Sequence, residues 1–105
     1  MSVTTIGQRG NTLLKRMRLL PGESTPWHRD PYERVTTVLT GGVLAIEFRD
    51  GSPVEHVRLT RGQATFEEPV DKLHRAVNVG TEPYEEVSVF FLDRPDAVPQ
   101  PGEAD

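Results

Sequence analysis

The chain has 105 residues, enough for one small domain, and carries 12 basic against 16 acidic side chains for a formal net charge of −4. No basic stripe interleaved with aromatics argues for nucleic acid, and no apolar run is long enough to cross a bilayer. There is no cysteine, which excludes disulfides, thiolate metal sites and thiol catalysis together.

Residues 1–14, MSVTTIGQRGNTLL, lack the apolar core of a secretion signal. With no cysteine to suggest an oxidising compartment, a soluble cytoplasmic protein is the expectation. Nine glycines and nine prolines cut the chain into short segments, which favours strands over helices.

Taken in order, residues 1–9 read as an N-terminal arm. TLLKRMRLL follows as a strand and stops at the turn signal PGES. RVTTVLT is rich in β-branched residues, and GGVLAIEF places Leu44, Ile46 and Phe48 on one face by the period of two. RDGSP is a hairpin turn from which VEHVRL returns antiparallel. TRGQATFEEP, LHRAVNV, a turn at GTEP, and EEVSVFFLD complete the ordered region. Seven or eight short strands at this spacing predict a sandwich or barrel over residues 10–93. No segment shows the apolar stripe of a helix. Residues 94–105 read as a mobile, acidic, proline-rich tail.

His28 and Asp30 are two apart, so on a strand they share a face. His74 falls on another strand, with Asn78 on the same face. Two imidazoles and one carboxylate converging inside a barrel would make a 2-His-1-carboxylate triad, which leaves metal positions open for substrate, water or O₂.

These residues carry a family resemblance. The chain resembles a small single-domain cupin, whose first motif reads G-x5-H-x-H-x3-4-E-x6-G. Gly22, His28 and Gly41 match it, with Asp30 in the slot of the second histidine and Arg34 in that of the glutamate. The second motif, G-x5-P-x-G-x2-H-x3-N, is matched by Gly62, Pro69 (one residue late), His74 and Asn78, with Asp71 in place of a glycine. The resemblance implies an all-β fold, the double-stranded β-helix or jelly-roll barrel.

It also implies His28 and His74 as ligands of one divalent transition metal, Fe, Mn, Zn or Ni. Asp30 is a competent replacement ligand, whereas Arg34 stays protonated and offers no lone pair. Glu33 would spoil the spacing to Gly41 and flip the face, so it is placed outside the barrel. Two outcomes follow for the interior carboxylate: a metal ion on the triad, or an Asp30–Arg34 ion pair where the metal would sit.

With a metal bound, Arg34 would fork onto the anionic group of a small-molecule ligand, with Trp27 and Tyr32 flanking it. Dioxygenase and isomerase or lyase chemistry are both open; the alternative is a metal-free, non-catalytic binding or accessory protein. A homodimer through exposed sheet edges is the expected assembly. An identity with the 2-oxoglutarate oxygenases is not expected, because the region after the distal histidine, TEPYEEV, is acidic where they carry a basic residue.

The remaining polar and aromatic residues have simpler readings. Asn78 is expected to serve a turn and His56 to be a solvated strand position. Phe48, Phe66, Phe90 and Phe91 read as core or sheet packing. The glutamates of EEP and PYEE read as exposed loop charge.

Overall fold

The computed structural model describes residues 1–95, so the tail expected over 94–105 lies, from residue 96 on, outside the described residues. The strands are β1 (Ser2–Arg9), β2 (Thr12–Leu19), β3 (His28–Asp30), β4 (Tyr32–Val38), β5 (Gly42–Phe48), β6 (Glu55–Leu59), β7 (Ala64–Glu67), β8 (Val70–Asn78) and β9 (Tyr84–Pro95). They form a five-stranded sheet, β1-β2-β9-β4-β7, and a four-stranded sheet, β3-β8-β5-β6, with every pairing antiparallel. Two facing antiparallel sheets are the double-stranded β-helix arrangement expected from the resemblance, and no helix occurs among the described residues. The residues read as an arm form β1, hydrogen-bonded along β2 with one register shift between Thr5 and Gly7.

Turn chemistry sets the corners. Gly22, Gly51 and Gly62 each hold φ near +85°, a conformation that costs glycine little and L side chains more. At the β5–β6 hairpin the Asp50 carboxylate accepts from the Ser52 amide at 2.8 Å, closing an Asx turn.

The apolar core gathers at one end of the space between the sheets. Leu19, Val38, Leu44, Ala76 and Tyr84 form it, with Met17, Ile46 and Leu59 against it. Asn78 fastens this end. Its side-chain amide donates to the carbonyls of Leu19 and Glu82, both at 2.9 Å, and its oxygen accepts from the Gly80 amide. The turn role expected of Asn78 is what the structure shows.

The alternation of β8 then decides what lies further along. Asn78, Ala76 and His74 are buried in succession on one face. His74 thus stands beyond the packed core, at the edge of an internal cavity of ≈ 650 Å³ between the two sheets.

Two sequence expectations need correction here. Phe66 is 75% exposed: β7 turns Thr65 and Glu67 toward the cavity, so the intervening Phe66 points outward from an edge strand. Phe48 and Phe90 do line the interior. The glutamates of EEP and PYEE are not all loop charge either. Glu67 ends β7 and Glu86 lies within β9, and both line the cavity.

Candidate metal centre and ligand cavity

His28 on β3 and His74 on β8 are Cα partners across an antiparallel pair. Their ring centroids stand 4.5 Å apart. Asp30, two residues on from His28, projects to the same side. Its Oδ2 lies 2.9 Å from His74 Nε2 and 3.5 Å from His28 Nε2. One donor atom from each of these three residues falls within 4.8 Å of the others.

The backbone fixes which ring nitrogens face the centre. His28 Nδ1 is 2.7 Å from the Pro26 carbonyl, and His74 Nδ1 is 2.8 Å from the Lys72 carbonyl. A carbonyl can only accept, so each Nδ1 carries the proton and donates it. In a neutral ring each Nε2 therefore turns a lone pair toward Asp30. Such an arrangement calls for a compensating positive charge, from a proton, a metal ion or the neighbouring Arg34.

The donor set fits a metal. Two donors about 2.1 Å from a common ion in octahedral or tetrahedral geometry stand roughly 3.0–3.4 Å apart. The Nε2–Oδ2 separations of 2.9 and 3.5 Å match that span. The Nδ1–H to backbone carbonyl bonds are the supports that orient metal-ligating histidines.

Electrostatics follow from the same contacts. Burial pushes the Asp30 carboxyl up, but the His28 and His74 hydrogen bonds and the Arg34 charge outweigh it, leaving Asp30 well below the usual carboxylate range. The Asp30 hydrogen bond raises His28, against burial and the Arg34 charge.

Arg34 faces inward from β4, as Thr36 and Val38 do, while Glu33 is absent from the cavity wall, as its spacing predicts. The guanidinium Nη2 is 3.5 Å from Asp30 Oδ2, and Nη1 is buried with no hydrogen-bond partner. Arg34 therefore touches the centre with one arm, while its other nitrogen is buried without a partner behind a side chain that forms part of the cavity wall.

Tyr32 lines the same space. Trp27 does not. It lies against the guanidinium groups of Arg75 and Arg49, at 4.6 and 5.6 Å from its ring centroid. The cause is alternation: where His74 and Phe48 point inward, Arg75 and Arg49 point outward, and Trp27 covers them. Arg75 is further held by Glu47 at 2.7 Å. His56 is exposed.

A second group of cavity residues escaped the sequence reading. Tyr84 Oη donates to Glu86 Oε1 at 2.9 Å, Ser88 Oγ donates to Oε2 at 3.0 Å, and Thr36 Oγ1 stands 3.1 Å from Ser88 Oγ. Burial pushes the Glu86 carboxyl up, with the two hydroxyls and Arg34 partly opposing. Tyr84 is pushed up as well, by burial first and then by the Glu86 charge. The period of two along YEEVSVF puts Tyr84, Glu86 and Ser88 on one face. That signal was legible, but the PYEE turn masked it.

A profile of the cupin domain matches residues 15–90. The chain belongs to the cupin family. The structure of a cupin domain from Bordetella pertussis Tohama I is similar to this cupin at a TM-score of 0.74 and 25% identity, over 85% of this chain and 90% of that one. A cupin superfamily protein from Desulfitobacterium hafniense DCB-2 is 16% identical with a TM-score of 0.62, covering 88% of this cupin and 77% of its own chain. Oxalate oxidase, solved with the substrate analogue glycolate, is 21% identical at a TM-score of 0.59, over 81% of this cupin but only 44% of that chain. The last two likenesses concern the fold alone. Among curated protein sequences, none matches this chain.

Proposed function

We propose that this cupin holds one divalent transition metal, Fe, Mn, Zn or Ni, on His28, Asp30 and His74, and takes a small anionic, oxygen-bearing metabolite beside it at Arg34. The observation that carries this reading is the pair of Nδ1–H bonds to backbone carbonyls, which aims both Nε2 lone pairs at one carboxylate oxygen.

Each residue has its own part. The carbonyls of Pro26 and Lys72 hold the two imidazoles in the tautomer that leaves Nε2 free to bind. Asp30 supplies the negative charge. The guanidinium of Arg34, on the cavity wall and with one nitrogen still unpartnered, receives a carboxylate or enolate oxygen, and Tyr32 flanks the ligand from the same wall. A bound ion would contribute Lewis acidity or, if redox-active, dioxygen activation, so dioxygenase and isomerase or lyase chemistry both suit the site. The glycolate seen in oxalate oxidase is a small carboxylate of the kind Arg34 suits.

A second reading has its own observation. The 3.5 Å Arg34–Asp30 contact is the ion pair of a metal-free binding protein. Metal content separates the two. Tag-free protein, stripped with chelator and titrated with Mn²⁺, Fe²⁺, Ni²⁺ or Zn²⁺, should take up one equivalent that His74→Ala does not. If the wild type takes up none of the four, the metal reading is wrong and the ion-pair reading stands.

A further inference from the structure

The cavity is far larger than a two- or three-carbon acid requires, and its walls are of two kinds. The metal triad and Arg34 are gathered at one side. Leu13, Met17, Leu44, Ile46, Phe48 and Phe90, drawn from both sheets, make the rest mostly apolar. Its volume, ≈ 650 Å³, is that of sites for ligands with a substantial body. The apolar character also continues outward: Met1, Val3 and Val57 line the cavity and are nevertheless 45%, 49% and 36% exposed. Apolar surface left this open to water favours an apolar occupant.

The charges bear on the other end of that occupant. Arg34 Nη1 is buried without a partner, a donor that costs free energy until something accepts from it. Lys15 brings a second cation to the wall, its Nζ 5.6 Å from the Phe90 ring centroid. With a metal ion on the triad to offset Asp30, these two cations favour one anionic group. Two carboxyls disfavour another. Glu67 is the register partner of Arg34 on β7, and Glu86 lies deeper on β9 opposite Val38, so a second negative charge reaching inward would meet acid on both sides.

We infer that the ligand of this cavity is an amphiphilic monocarboxylate, with its carboxylate on Arg34 and an aliphatic or aromatic body along the Leu13–Ile46–Phe90 chamber. This rests on the reading above that Arg34 receives the anion, and adds the class of molecule that supplies it.

Calorimetric titration with unbranched alkanoates from acetate to octanoate, alongside alkanols of equal length, tests both parts on the full-length protein. Alkanoates should tighten roughly fourfold for each methylene buried until the chamber is full, and should bind more tightly than the matching alkanols. Arg34→Gln should erase that advantage, and Lys15→Met should leave most of it. Affinity that does not change with chain length overturns the chamber while sparing the anion site. Alkanols as tight as alkanoates overturn the anion site and the inference with it. No binding by either series overturns both. Because the wild-type comparison needs no variant, misfolding of Arg34→Gln cannot shelter the idea.

Discussion

His28 and His74 face each other across the β3–β8 ladder with ring centroids 4.5 Å apart, and both turn Nε2 toward the carboxylate of Asp30. Removing either imidazole leaves a carboxylate and one nitrogen, too few donors for a tight site. His28→Ala and His74→Ala are each expected to weaken metal binding at least about 100-fold. Competition against a chromophoric chelator measures it; metal affinity within about threefold of wild type in either variant would place the ion elsewhere.

Arg34 brings a positive charge to within 3.5 Å of Asp30, which opposes a divalent cation and compensates the carboxylate in its absence. Arg34→Glu reverses that charge and supplies a further oxygen donor. Metal affinity is expected to rise at least about tenfold. Without metal the same variant should be less stable than wild type, because Asp30 loses its cation and gains a like-charged neighbour. Thermal melts with and without added metal should therefore shift in opposite directions relative to wild type.

Glu86 gives the expected pH dependence. Burial raises its folded-state pKa above the unfolded value of about 4.3. Between the unfolded and the raised pKa the folded protein holds the extra proton, so stability contributed by this group falls as pH rises through that window. Glu86→Gln keeps an acceptor for Tyr84 and removes the ionisation. Its melting temperature should approach that of wild type below pH 4, gain on wild type as pH rises through that window, and hold the gain above it. Parallel curves for the two proteins from pH 4 to 8 would contradict the assignment.

Asn78 is nearly inaccessible and ties two carbonyls and one amide across the β2 end, the Glu82 turn and Gly80. Asn78→Ala leaves all three backbone groups short of a partner and is expected to cost about 2–4 kcal/mol in denaturant unfolding. Asn78→Asp should cost at least as much, since the carboxylate loses both donors and buries a charge.

The sequence by itself determined the barrel. The period of two that sets Leu44, Ile46 and Phe48 on one face and the spacing of Gly22, His28, Gly41, His74 and Asn78 are local features, because a strand sends every second side chain to one face and a turn needs its own residues. The same rule placed His28 with Asp30 and kept Glu33 out. Only the tertiary structure decided what those faces meet. Phe66 is apolar yet exposed because β7 is an edge strand, and Trp27 leaves the ligand space because the outward guanidiniums of Arg49 and Arg75 lie beneath it. Glu86 looked like surface charge, and became an interior carboxyl once β9 was paired between β2 and β4. Arg34 shows the limit most clearly: periodicity gives the side of the strand, but whether its guanidinium meets Asp30, a ligand or solvent depends on the opposite sheet, which no local pattern encodes.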